Sequence, residues 1–163
     1  MRRLILMRHA KSDWSTGAKT DHARPLNARG RQASARLGQW LKDNGIVPDE
    51  VLCSTAARTQ ETFAGLALPS APVPKLVKEL YLADRDTILT ALRAATGAAV
   101  MILGHNPGIA AAAAGFVAQP LDHPQFQRYP TGATLIADFD VHDWQAAAWS
   151  QASAQMFVVP RDL

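Results

Sequence analysis

The chain has a single cysteine, Cys53, among its 163 residues. That excludes an intrachain disulfide and any metal site built from several thiolates. Charge of one sign is not concentrated either. The 17 Lys and Arg outnumber the 14 Asp and Glu by three, but no run of five or six basic residues forms a nucleic-acid arm. Aromatic residues are sparse, at 7%, and are not interleaved with basic ones, which argues against a stacking surface for single strands. A long apolar run is also missing. The opening Leu4–Met7 is too short for a signal-peptide core, and the apolar region from Ala98 to Ala118 is cut by Gly104-His105-Asn106-Pro107-Gly108. Neither segment reaches the ~20 residues of a membrane span. No linker, repeat or charge block divides the chain. The expectation is one soluble, cytoplasmic domain over residues 1–163, with a mild positive excess suited to an anionic substrate of modest size.

What is present alternates. Short apolar runs at Leu4–Met7, Val51–Cys53, Val73–Val77 and Val100–Leu103 read as strands buried on both faces, with later strands at Thr134–Phe139 and Met156–Val159. Between them lie helical patterns. One is capped by Asn27 and ends at Asn44-Gly45. A second is capped by Ser54 or Thr55 and runs through Leu66. A third is opened by Asp84 or Asp86. A fourth is opened by Asn106 and Pro107. Strand and helix in alternation predict an α/β fold, a three-layer α/β/α sandwich with a largely parallel central sheet and helices on both faces.

In such sheets ligands bind at the carboxyl ends of the strands, and three polar groups of residues fall there. Arg8-His9 follows the first strand, Ser54–Thr59 the second, and Gly104–Gly108 the fourth. Each has an ordinary alternative, since a lone arginine after a strand caps it and a lone histidine is usually structural. Arg58 resists that reading. It lies in the first turn of a helix, where the macrodipole disfavours a cation by ~0.3–1 kcal/mol. An anion beside it would reverse the sign. The helix start after His105 offers free N–H groups to an anion as well. Two arginines, a histidine and a helix start suit a phosphoryl group. His9 adds a nucleophile, because a neutral imidazole is competent and its ordinary pKa is ~6.5. Flanking guanidinium groups would keep it neutral and stabilise the oxygens in transfer, making a metal ion or other cofactor unnecessary.

These residues carry a resemblance. "LMRHAKSDW" resembles the RHG-type signature of the histidine phosphatase (phosphoglycerate-mutase-like) superfamily, with Ala10 where most members have glycine, and its RHAKSxW form resembles the SixA-type phosphohistidine phosphatases. "RPLNARGRQ", "CSTAARTQET", "GHNPG" and the final "PRDL" follow in that subfamily's order, across essentially the whole chain. The resemblance implies a phosphohistidine intermediate on His9, with Arg8, Arg58 and His105 completing the phosphate pocket and Arg24 either a further contact or a loop salt-bridge residue. It implies a proton donor near Glu79, for which Asp13 and Asp21 are rivals. The substrate expected is phosphohistidine on a protein, with a small phosphomonoester or a non-catalytic phosphate-binding role as alternatives. No nucleic-acid or membrane partner is expected. His22, His123 and His142 read as surface histidines, and Trp14 as a residue of the site's rim. Cys53 reads as a small buried hydrophobe, since a cysteine phosphatase needs five residues between cysteine and arginine, and only four separate Cys53 from Arg58.

Overall fold

The computed structural model describes all 163 residues. Six strands form one sheet in the order β3-β2-β4-β1-β5-β6. They are β1 (Arg2–Arg8), β2 (Glu50–Ser54), β3 (Lys75–Val77), β4 (Ala99–Gly104), β5 (Thr134–Phe139) and β6 (Ser153–Val158). The helices are α1 (Ala28–Asp43), α2 (Ala57–Leu66), α3 (Arg85–Arg93) and α4 (Gly108–Phe116). The first four strands are parallel. β5 is antiparallel to β1, and β6 to β5, so β5 alone runs against the rest.

Alternation along β1 sorts its side chains into two cores. Leu4 and Leu6 join α3 and α4 through Leu89, Leu92, Ile109 and Phe116. Ile5 and Met7 join α1 and α2 through Leu37, Leu41 and Leu66. The period-2 pleat and a helix pair on each face produce the three layers. At ~1.5–3 kcal/mol for each fully buried large apolar side chain, β1 is a stiff central element.

Asn27 caps α1 by accepting from the Gly30 amide at 2.8 Å, and Asp84 caps α3 through Thr87. Two expected caps differ. α2 starts after Ala56, because the Ser54 hydroxyl is engaged 2.7 Å from His105 Nε2. At α4 the Asn106 amide is turned to the Arg128 and Tyr129 carbonyls, and the helix begins at Gly108. A Cβ at Gly108 would collide with the Ala83 carbonyl, so this helix start packs against the 83–84 backbone and leaves anion recognition to side chains. No helix is long and apolar enough to cross a membrane.

Candidate active site

β1, β2 and β4 end on the same edge of the sheet, and the chain there is tied down by backbone bonds. Arg8 N donates to Ala133 O at 3.0 Å and His9 N to Gly104 O at 3.1 Å. Gly132, at φ +78°, donates its N–H to the His9 carbonyl at 2.9 Å from a left-handed turn that a side chain would strain. Ala10, fully buried, donates to Thr62 Oγ1 of α2 at 2.9 Å. His9 therefore sits on a mount held from three sides.

A cleft of about 320 Å³ opens above that mount and is lined by Arg8, His9, Arg24, Arg58, His105 and Asn106, with Lys11, Ser12, Trp14 and Asp21 at its sides. His9 and His105 are only 6% and 2% exposed, with ring centroids 5.3 Å apart. His9 Nδ1 lies 2.7 Å from the Ala10 carbonyl, a contact that only a protonated Nδ1 can make. Nε2 then carries the lone pair. Burial above all pulls the His9 pKa down to about 3, against the bond to Ala10, with His105, Arg8 and Arg58 adding smaller pushes. Burial likewise lowers His105 to about 4, followed by Arg58. The neutral state expected of His9 thus owes more to desolvation than to the neighbouring guanidinium groups.

Arg58, 3% exposed, donates to the Asp21 carbonyl oxygen at 2.8 Å and to its carboxylate at 3.1 Å. Tyr81 donates to the same carboxylate, and with Arg58 and Arg24 holds Asp21 at a pKa of about 2. Arg24 pairs with Asp21 at 3.0 Å, donates to Ser12 Oγ, and stacks 3.4 Å from the centroid of a Trp14 ring that is 74% exposed. Arg24 thus makes the ion pair expected of a loop residue and also lines the cleft.

Four buried side-chain polar atoms lack a hydrogen-bond partner: Arg8 Nε, Arg58 Nε, His105 Nδ1 and Asn106 Oδ1. All four belong to residues lining this cleft. An unpartnered buried donor costs about 1–3 kcal/mol. The two arginine Nε–H groups can only donate, so both at one place mark a site arranged for an acceptor-rich group. No three His, Cys, Asp or Glu side chains gather as a metal site.

Residues 4–81 match the family described as the histidine phosphatase superfamily, branch 1. A protein of Mycobacterium leprae, itself uncharacterised, is 32% identical over 95% of this chain and 100% of its own. The chain belongs to the histidine phosphatase superfamily. Among solved structures, a candidate phosphohistidine phosphatase SixA from Nakamurella multipartitia is 29% identical, with a TM-score of 0.84 over 98% of this chain and 96% of that one. A protein histidine phosphatase SixA complexed with tungstate has the same fold, at 20% identity, a TM-score of 0.81 and 98% coverage of each chain. The family match and the likeness to SixA together make the protein a phosphatase, with a fold of the SixA type.

In this phosphatase the three candidate acids are dispersed. Glu79 is exposed, in the 3-10 turn Lys78–Leu80, and does not line the cleft. Asp13 accepts from the Ser15 amide and hydroxyl, both at 2.7 Å, also outside the lining. Asp21 is the one carboxylate in the cleft wall. Three residues escape a reading of the sequence. Tyr81 donates to Asp21 and packs edge-on against His105. His22, taken for a surface residue, is half-buried, with Nε2 2.8 Å from Thr55 Oγ1 and its ring edge-on to Tyr81. Ser54 engages His105. Only the last had a local signal, its place at a strand end. Cys53 is fully buried, and burial pushes its thiol up to about 11, as suits an inert side chain.

Proposed function

We propose that the whole chain acts as one phosphatase domain in which His9 takes the phosphoryl group from phosphohistidine on a protein. In the first step His9 Nε2 attacks phosphorus. The Nε2–P bond forms as the bond from phosphorus to the substrate nitrogen breaks, and the substrate imidazole, protonated on its other nitrogen, leaves neutral. Water then attacks phosphorus, the Nε2–P bond breaks, and inorganic phosphate departs with His9 neutral again. Arg8 and Arg58 hold the equatorial oxygens in both steps, and Arg24 lies at the outer side of the pocket. Ser54 Oγ lies 2.7 Å from His105 Nε2 and accepts from the Ala56 amide. In the proposed tautomer the Ser54 hydroxyl donates to Nε2, and the ring proton on Nδ1 is then a donor for a phosphoryl oxygen.

The observation that supports the reading is the pair of unpartnered arginine donors, Arg8 Nε and Arg58 Nε, at the cleft, beside a His9 whose Nε2 lone pair is unengaged. The substrate class rests on a second. The cleft's one carboxylate, Asp21, is held at about 2 by Tyr81 first and by Arg58 and Arg24, so it stays ionised and cannot protonate a leaving group. An alkoxide leaving from a phosphomonoester needs such a proton. Transfer between two imidazoles is nearly balanced and needs far less help. Glu79 could serve only after a rearrangement that carries it to the cleft, which makes it the proposed acid for ester substrates rather than for phosphohistidine.

Rates on a phosphohistidine-bearing protein and on a panel of phosphomonoesters, measured side by side in EDTA, test this. A kcat/KM at least ~10²-fold higher on phosphohistidine is expected. Higher rates on a small phosphomonoester, abolished by Glu79→Gln, would overturn the substrate class.

A further inference from the structure

A second groove, about 540 Å³ and larger than the phosphate cleft, runs beside it between α1, the 125–131 loop and the turn Pro160–Asp162. Five of its twelve lining residues are cations, Lys11, Arg29, Arg36, Arg128 and Arg161, and none is acidic. All five side chains are exposed, and none makes an ion pair or a side-chain hydrogen bond with the rest of the chain. The nearest turn acid, Asp162, is engaged 3.0 Å from His123. Arg29 also lies in the first turn of α1, which contains no acid and where the macrodipole disfavours a cation. Like charges gathered without partners repel one another, and nothing inside the chain offsets that. Elsewhere some basic residues do find acidic partners, as Arg3 finds Asp138 and Lys75 finds Glu50.

Lys11 and Thr131 line both hollows, so a ligand whose phosphoryl group occupies the cleft reaches the groove without a break. The mount is rigid on that side, since a Cβ at Gly30 would collide with the Lys11 carbonyl. We propose that this groove receives an acidic segment of the phosphorylated protein substrate, docking carboxylates on the α1 arginines while the phosphorylated side chain enters the cleft. The proposal rests on the protein-substrate reading above. One further phosphate would engage two cations, whereas five spread along a groove match several carboxylates on one segment. No aromatic side chain lines the groove, so it lacks the stacking platform of a single-strand nucleic-acid site.

The test uses two phosphohistidine peptides, identical except that one flanks the histidine with Asp and Glu and the other with Asn and Gln. Wild type is compared with Arg29→Glu/Arg36→Glu, and p-nitrophenyl phosphate turnover serves as the measure of an intact cleft. Wild type is expected to favour the acidic peptide by about tenfold, a preference built from a few exposed ion pairs. The double variant should lose that preference while keeping its p-nitrophenyl phosphate rate, and 0.5 M salt should erode it in wild type (an arm that needs no variant), since the Debye length there is under about 5 Å. Equal kcat/KM on the two peptides in wild type at low salt would overturn the proposal. If neither phosphopeptide is hydrolysed, the substrate reading fails. The groove is then judged by fluorescence anisotropy with the unphosphorylated acidic peptide: binding lost in the double variant supports it, and binding unchanged refutes it. Tighter binding of a dT20 oligonucleotide than of the acidic peptide would also refute it.

Discussion

The two edges of the central sheet handle buried charge in opposite ways. At the edge where β1, β2 and β4 begin, the buried and half-buried charges are answered by the chain itself. Glu50, 7% exposed, accepts from the Thr96 and Gly97 amides, each at 2.8 Å, and pairs with Lys75. Arg2 donates to the carbonyls of His142, Thr96 and Gly97, Arg3 is bidentate to Asp138, and Asp49 accepts from the Ala98 and Ala99 amides. At the edge where the same strands end, Arg8, Arg58 and His105 each keep a buried nitrogen without a partner. One edge closes the fold. The other holds its donors ready for something that is not part of the chain.

Substitutions should separate the two edges cleanly. His9→Ala is expected to lower turnover of any phosphorylated substrate by at least ~10³-fold, as loss of a nucleophile does, with a thermal midpoint close to wild type. Retention of more than a tenth of the activity would break the distinction. Glu50→Ala should do the reverse. It strands two amide donors and destabilises by about 1–3 kcal/mol, seen as a lower midpoint in urea, with kcat/KM intact. A large loss of turnover at unchanged stability would mean that this edge, too, serves the chemistry.

Acid should reach the edges in different windows. His9 and His105 titrate at about 3 and about 4 in the folded chain, against ~6.5 when unfolded. The unfolded chain therefore binds their protons first, so this contribution is complete above about pH 6.5 and is lost as the pH falls towards 4 and 3. Glu50 is buried, which raises its pKa, but the Thr96 and Gly97 amides and Lys75 hold it below the ordinary carboxylate value. Its contribution fades only below about pH 4.3. Urea midpoints should already decline between pH 6.5 and 5 in wild type, and decline less in that window in His9→Phe. The acid limb of kcat/KM, which reports the free enzyme, should lie well below pH 6.5. A limb at 6.5 would contradict a desolvated His9.

Ser54→Ala sharpens the same contrast at smaller scale. It removes the bond that sets the His105 tautomer, worth about 1 kcal/mol, and should lower kcat by ~3–10-fold with little change in urea midpoint. Full kcat would show that His105 needs no orienting partner.

Much of this was legible along the chain because local signals suffice where burial is continuous. The apolar runs located all six strands, and β5 coincides with its expected span, because its residues are buried almost without a break. The run Val73–Val77, expected to be buried on both faces, instead gives only the largely exposed Lys75–Val77. β6 begins at Ser153 rather than Met156 and is only partly buried, since both strands lie at edges of the sheet. Arg8, His9, Arg58 and His105 could be gathered from strand ends alone, since a parallel sheet turns distant segments onto one edge. The Asn27 and Asp84 caps were readable for the same local reason. Less legible were features set by partners far apart in sequence. Asn106 looks like a cap, yet the loop at 128–129 claims its amide. Tyr81 and His22 join the Asp21 network through contacts that no spacing announces. The basic groove assembles from α1, the 125–131 loop and the last turn, so the scattered arginines of the sequence become a single surface only after folding.

The central claim is that His9 Nε2 carries the phosphoryl group. Mixing the enzyme with substrate labelled in its phosphoryl group, quenching in base within milliseconds and mapping the label by mass spectrometry tests it most directly. The expected result is an acid-labile, base-stable phosphate on His9 of the wild-type protein, absent from His9→Ala. Label on Cys53 or another residue, or steady turnover by His9→Ala, would contradict it.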